Sequence, residues 1–148
     1  VLDGEYVVYI EKMDVFSTVR MYSQIGLRMH AYCSSLGKVL LAGLSKAELE
    51  ARLKDCSFIR FTPHTIGSLQ ELEELRKVRS QGWAMDHEEY EIGNRCIAAP
   101  IYDYCGEIVA AISASGSTIQ IPDEKIPEIA EGVMQIAHEI SRGLGYTG

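Results

Sequence analysis

The sequence predicts a single α+β domain in which helices pack on an antiparallel sheet. Runs rich in β-branched residues lie at both ends of the chain, and amphipathic helical patterns lie between and after them. A hairpin signal late in the chain indicates antiparallel pairing. With 148 residues, of which 47% are hydrophobic, the chain can form one core without disulfide or metal cross-links. These features together are typical of a sheet covered by helices.

The N-terminal part is predicted to form two strands and a buried helix. Residues 5–11 read EYVVYIE, a composition that favours a strand, and residues 17–22 are predicted to be a second extended segment. Residues 34–44 are apolar almost throughout, which favours a buried helix. Either Ser34 or Ser35 can cap the start of that helix.

Two further helices are predicted from capping boxes. Glu48 follows Ser45 by three residues, and Glu71 follows Ser68 by the same spacing. Apolar residues recur at helical spacing after each pair. Gly82 stands where the second of these helices is expected to end, because glycine readily adopts the left-handed conformation of a C-cap.

The C-terminal part is predicted to contain three strands and a long helix. The strands cover residues 83–86, 95–102 and 107–115, and Gly106 can supply the positive φ of a turn between the last two. Those two strands are therefore expected to pair. Apolar residues at spacings of three and four predict a final helix that starts at residue 126.

The charge and the motifs exclude several function classes. The net charge is −7, with 14 Lys and Arg scattered among 21 Asp and Glu, so this chain by itself should not bind nucleic acid. No apolar run approaches the ~20 residues that span a bilayer. No phosphate loop, HExxH or GxSxG motif occurs, the histidines are far apart, and we expect neither a metal nor a cofactor. The four cysteines form no CxxC pair and suit reduced thiols in a cytoplasmic protein.

A binding pocket is the favoured interpretation of the polar residues in the predicted sheet. Ser113 and Ser115 are two apart in one strand, so both point to the same face. Cys96 on the partner strand and Asp86 on the preceding segment can share that face. A third side is offered by Ser35-Leu36-Gly37, where free N–H groups of a helix start can bind a carboxylate. A sheet face that meets solvent explains the serines equally well at this stage.

Two other function classes remain as alternatives. Cys96 could be a nucleophile with His87 and Asp86, although its apolar surroundings favour an inert thiol. The chain could also be a pure oligomerisation module with a vestigial pocket.

Three strings, taken together, are similar to one known family. GKVLLAGLS (37–45), MDHEEYEIGNRCIAAPIYD (85–103) and ISASG (112–116) resemble the effector-binding domain of IclR-type bacterial transcription regulators. The resemblance covers essentially the whole chain. Within the family, RMYSQIGLR (20–28) and YCSSLGKVLLA (32–42) look most like KdgR-type regulators of sugar-acid catabolism, which sense 2-keto-3-deoxygluconate.

The resemblance implies a profilin-like or GAF-like domain over residues 1–148, with an antiparallel sheet of about six strands flanked by helices. It also implies a further strand before Val1 and, in the parent protein, an N-terminal winged helix-turn-helix that binds operator DNA and is not part of this chain. Members of the family are dimers or tetramers and are not enzymes. The expected function is therefore that of a repressor's ligand-sensing domain, in which a small carboxylate, a sugar acid or keto acid, shifts the oligomer's affinity for operator DNA.

The family's effector contacts can be transferred to this sequence residue by residue. The resemblance places polar contacts at Asp86, Cys96, Ser113 and Ser115. It places the carboxylate at backbone amides near Ser35, Leu36 and Gly37. It places the selective wall at Thr18, Met21, Met29 and Asn94. Because leucines occupy the positions of Thr18 and Asn94 in members that sense pyruvate or glyoxylate, the more polar wall implies a larger, hydroxylated ligand. Ser35 and Leu36 stand where the family has smaller residues, which changes the shape of the site expected for the ligand's carboxylate.

Overall fold

The structure, a computed structural model, describes residues 1–14, 23–71 and 74–148 and has the predicted α+β architecture. The described strands are β1 (Leu2–Asp3), β2 (Tyr6–Val8), β3 (Arg28–His30), β4 (Ala84–His87), β5 (Asn94–Tyr102) and β6 (Ile108–Ser117). The described α-helices are α1 (Ser35–Ala42), α2 (Lys46–Leu53), α3 (Glu74–Gln81) and α4 (Ile126–Gly143). Short 3₁₀ turns precede α1 and α4. No helix within the described ranges is both long and apolar enough to span a membrane.

The six described strands form two antiparallel sheets of three, with the orders β1-β2-β3 and β4-β5-β6. The predicted late hairpin is confirmed, since β5 pairs with β6 along nine residue positions and Gly106 has φ 81° in the turn. The resemblance implied one sheet of about six strands, and the described residues contain six strands divided between two sheets. The strand predicted at residues 17–22 lies outside the described residues.

The starts of α1 and α2 and the end of α3 follow the predicted caps, whereas α3 begins at Glu74, after the second predicted capping box at Ser68 and Glu71. Ser34 is the cap of α1, and its Oγ accepts a hydrogen bond from the N–H of Gly37 at 3.1 Å. Both hydrogen bonds of the capping box between Ser45 and Glu48 are present at the start of α2. After α3, Gly82 has φ 84° and its N–H closes the helix. At the start of α1 and of α2, a side chain therefore satisfies an N–H group that a helix start leaves without a partner.

The second sheet lies between α1 and α4, and this arrangement decides where the candidate site lies. Alternate residues of β5 point to opposite faces. Ala98 packs in the cluster that includes Val39 and Leu41 of α1. Ala99 packs in the cluster that includes Val133 of α4. The even-numbered residues at this part of β5 thus face α1.

Only part of the apolar stripe of α4 packs against the core; its members are Ile126, Ile129, Val133, Ile136 and Ile140. Ile136 and Ile140 are 48% and 38% exposed, while Ala130, Ala137 and Ser141 are buried. Small residues at the buried positions allow the helix to lie close to the sheet. The Ser141 hydroxyl donates to the carbonyl of Ala137 and accepts from the N–H of Tyr102, which attaches the end of the helix to β5.

Candidate functional site

Three of the predicted contact residues form one row across the second sheet. Asp86 of β4 is opposite Cys96 of β5, and Cys96 is opposite Ser115 of β6. Residues that are directly opposite in antiparallel strands share a face, so all three side chains lie on the α1 side. Ser113, opposite Ala98, lies on the same face two positions along β6. The row is graded in exposure, from buried Asp86 through half-buried Cys96 to exposed Ser115.

The start of α1 offers the backbone groups that the sequence predicted for a carboxylate. Ser35 and Leu36 are buried, and as first-turn residues their N–H groups have no acceptor within the helix. At Gly37 the N–H donates to the Oγ of Ser34, and the missing side chain makes room for another part of the chain. A Cβ at Gly37 would lie 2.1 Å from the carbonyl oxygen of Ala31. Gly37 therefore permits the close approach of the 3₁₀ turn Ala31–Cys33 to α1.

The carboxyl of Asp86 is buried, and its surroundings perturb its protonation. The residue is 5% exposed, and its Oδ1 accepts a hydrogen bond of 2.7 Å from the N–H of Glu89. Burial raises the pKa of the Asp86 carboxyl to about 7, and the nearby carboxylate of Glu89 adds to the rise. The hydrogen bond from Glu89 and the charge of Lys38 act in the opposite direction. Asp86 can thus exist in both protonation states near neutral pH.

A buried ion pair lies beside Asp86. The Nζ of Lys38, on α1, is 2.5 Å from Oε1 of Glu89, in the loop between β4 and β5. Lys38 is 0% exposed and Glu89 is 5% exposed. The pair joins the start of α1 to the loop that follows Asp86, so it links two sides of the candidate site.

The geometry does not support the nucleophilic alternative. Burial raises the pKa of the Cys96 thiol to about 12, and the neighbouring carboxylate of Asp86 raises it further against a hydrogen bond from Ser115. A thiol in this state is a weak nucleophile at neutral pH. His87 is opposite Arg95, one position from the row, and so lies on the other face of the sheet. It cannot serve Cys96 as a base.

The four residues predicted for the selective wall are only partly described. Met29 lies on β3, and its Sδ accepts a hydrogen bond of 3.8 Å from the hydroxyl of Tyr9. Asn94 lies on the face of the Asp86 row, with its side-chain amide donating to the carboxylate of Glu91. Thr18 and Met21 lie outside the described residues.

Tyr9, Lys38 and Glu89 were not predicted as part of the site. The pKa of Tyr9 is raised to about 12 by burial and by the proximity of Cys96 and Asp86, which places this phenol near the row. A lysine within the apolar run GKVLLA was a usable signal, because lysine is rarely buried unless it is paired. Glu89 gave no such signal among the neighbouring acids of its loop.

A concavity lies on the opposite side of the sheet from the Asp86 row, between β5 and α4. This cleft of about 240 Å³ is lined by Gly82, Ala99, Pro100, Tyr102, Met134, Ala137 and His138. The lining is mainly apolar and has no equivalent of the row of Asp86, Cys96 and Ser115. Among the described residues, no three His, Cys, Asp or Glu side chains are grouped as metal ligands.

Comparison with known proteins identifies the family. Residues 1–142 match the family described as "Bacterial transcriptional regulator IclR C-terminal". The chain belongs to the IclR family of bacterial transcription regulators. It is 41% identical over 146 residues to the HTH-type transcriptional regulator KdgR of Dickeya chrysanthemi, which covers 98% of this chain and 48% of the relative. The members of the IclR family that it matches are transcription regulators and not enzymes.

Solved structures of IclR-family and related regulators share the fold. The Agobacterium tumefaciens repressor BlcR has a TM-score of 0.91 and 32% identity, and the match covers 100% of this chain and 59% of BlcR. A double mutant of the inducer-binding domain of PobR from Acinetobacter, in complex with 3-hydroxybenzoic acid, has a TM-score of 0.81 and 28% identity. That match covers 95% of this chain and 84% of the PobR chain. This IclR-family chain spans about half the length of KdgR.

Proposed function

We propose that this chain is the effector-binding domain of a transcription regulator and that it binds a small carboxylate, a sugar acid or a keto acid. The observation that carries the proposal is the position of the row of Asp86, Cys96 and Ser115 on the sheet face that α1 covers. The start of α1 supplies N–H groups on one side. The row supplies a carboxyl, a thiol and a hydroxyl on the other.

The two sides suit different parts of such a ligand. The positive end of the α1 dipole and the N–H groups of Ser35 and Leu36 favour a carboxylate. The side chains of Ser113 and Ser115 can donate or accept hydrogen bonds, which suits the hydroxyl or keto groups of a sugar acid. Local dipoles of this kind bind an anion although the net charge of the chain is −7.

The relatives support this class of ligand and a repressor function. The chain is similar to the transcriptional regulator KdgR, and the resemblance to KdgR-type regulators implies sugar-acid catabolism as the regulated process. The PobR domain is complexed with a hydroxylated aromatic carboxylic acid, and BlcR is a repressor. We propose that operator DNA is bound through an N-terminal winged helix-turn-helix outside residues 1–148. We further propose that the parent protein self-associates as a dimer or tetramer in the cytoplasm.

The mechanism requires that the ligand binds one arrangement of the oligomer more tightly than another. Binding then shifts an equilibrium between a state with high operator affinity and a state with low operator affinity, by an amount equal to that difference in affinity. No bond in the ligand is broken.

A titration with matched ligands tests the proposal. 2-Keto-3-deoxygluconate, D-gluconate and pyruvate are titrated calorimetrically into the chain, with D-glucose as the control without a carboxylate. At least one acid is expected to bind, and Ser113→Ala and Ser115→Ala should each weaken it by about 3-fold to 10-fold, the worth of one hydrogen bond. Ser80→Ala, at an exposed position on helix α3, serves as the matched control and should bind like the unaltered chain.

Two results would contradict the proposal. Equal binding of D-glucose would show that the carboxylate is not recognised. No binding by any acid would favour the alternative of an oligomerisation module.

A further inference from the structure

The loop after Asp86 is held in place by Glu89, which forms contacts through its N–H, its carbonyl and its side chain. The N–H of Glu89 donates to Oδ1 of Asp86 at 2.7 Å. The carbonyl of Glu89 accepts a hydrogen bond of 2.5 Å from the hydroxyl of Thr65. Its side chain forms the buried ion pair with Lys38 at 2.5 Å. The backbone of Glu89 therefore orients Asp86, and Lys38 holds Glu89.

The charges in this cluster do not balance when Asp86 is ionised. Lys38 carries one positive charge, and the carboxylate of Glu89 already neutralises it at contact distance. An ionised Asp86 adds a buried negative charge, and the cation that acts on it is this same Lys38. The titratable groups that interact with Asp86 are Lys38 on α1, Glu89 in the loop, Cys33 before α1, Cys96 on β5 and Tyr9 after β2.

The other titratable members of the cluster add no charge to it at pH 7. The thiols of Cys33 and Cys96 and the phenol of Tyr9 have raised pKa values, chiefly because they are buried, and are neutral at pH 7. A carboxylate ligand brings one more negative charge into this space. Two carboxylates that share a buried site cannot both remain ionised without a large cost.

We propose that Lys38 and Glu89 are positioning residues that cause a carboxylate effector to enter the site together with one proton, which Asp86 carries. The proton comes from solvent and forms the O–H bond of a neutral carboxylic acid at Asp86. That acid donates a hydrogen bond to a keto or carboxylate oxygen of the ligand. Selection then favours a ligand with an acceptor oxygen at this point over a ligand with an apolar group there. The inference rests on the proposed function.

Calorimetry at several pH values measures the proton directly. 2-Keto-3-deoxygluconate, D-gluconate and pyruvate are titrated at pH 6, 7.5 and 9 in buffers of different ionisation enthalpy. For the acid that binds, the uptake of about one proton is expected at pH 9 and less at pH 6. The Kd should weaken by about tenfold per pH unit over the upper part of this range.

Three variants separate the proton from mere structural support. Asp86→Asn mimics the protonated acid and should bind with a Kd that no longer depends on pH. Glu89→Gln leaves Lys38 to neutralise Asp86, so proton uptake should fall towards zero while binding persists. Glu88→Gln, one residue earlier in the same loop, is the matched control and should keep the uptake of the unaltered chain. Thermal unfolding confirms that each variant is folded. If Glu89→Gln does not fold, the pH dependence of the Kd of Asp86→Asn tests the inference by itself.

The outcomes distinguish this inference from the proposed function. Binding without proton uptake at pH 9 overturns the inference and leaves the function standing. The same holds if Asp86→Asn weakens binding by more than tenfold at pH 6, since Asp86 would then act as a carboxylate. Failure of all three acids to bind at every pH overturns both.

Discussion

Replacing Asp86 by Asn should stabilise the chain at high pH and not at low pH. The carboxyl is 5% exposed, and its pKa is raised from 3.8 to about 7, first by burial. Below pH 3.8 the carboxyl is protonated in both the folded and the unfolded chain, so its burial does not lower the free energy of unfolding. As the pH rises, the unfolded chain loses this proton first, and folding becomes less favourable until the folded-state pKa is passed near pH 7. The difference of about three pH units, at about 1.4 kcal/mol each, costs about 4 kcal/mol above pH 7.

Urea unfolding at pH 4.5, 6 and 8 measures this cost as the difference in unfolding free energy between Asp86→Asn and the unaltered chain. The amide retains an oxygen that can accept the N–H of Glu89. The advantage of the variant should therefore grow by about 3 kcal/mol from pH 4.5 to pH 8. Asp55→Asn, at an exposed position, is the control and should show no such growth. A difference for Asp86→Asn that stays constant with pH would refute the reasoning.

Three further predictions concern packing, capping and thiol reactivity. Gly37→Ala should lower the unfolding free energy by about 3 kcal/mol or more, because the added Cβ would overlap the backbone of Ala31. Gly132→Ala, which has open space around it in α4, is the control and should be neutral or stabilising. Urea unfolding midpoints of the two variants measure the difference. Ser45→Ala removes the cap of α2 and should cost about 1 kcal/mol in the same assay, and no loss would show that the capping box is not stabilising. Iodoacetamide at pH 7.5 should label exposed Cys105 well before Cys96, as followed by peptide mass spectrometry, and equal rates would contradict the raised pKa of the Cys96 thiol.

Local signals in the sequence predicted the elements well where capping and turn chemistry are explicit. The capping box at Ser45 and the glycine turn at Gly106 are both present as expected. Such features depend on a few neighbouring residues, so the sequence contains the necessary information. The α4 stripe was less well predicted, because Ile136 and Ile140 satisfy the helical period and remain partly exposed. Which side of a helix is buried depends on its partner surface as well as on its own pattern.

In the candidate site, too, local features could be predicted from the sequence, and contacts between distant residues could not. The two-residue spacing of Ser113 and Ser115 predicts a shared face, and the strand register puts Cys96 on that face. The ion pair of Lys38 with Glu89 could not be predicted, since the two residues are 51 positions apart and meet only through the packing of α1 against a loop. The close contact between Gly37 and Ala31 could not be predicted for a similar reason. A glycine at the start of a helix is equally compatible with a ligand and with another part of the chain.

The location of a bound acid tests the central claim most directly. A crystal structure of the chain with the tightest-binding acid of the panel should show the carboxylate within hydrogen-bond distance of the N–H groups of Ser35 and Leu36. The remaining polar groups of the ligand should lie against Asp86 and Ser115. A ligand bound elsewhere, for example in the cleft between β5 and α4, with these residues untouched, would contradict the account.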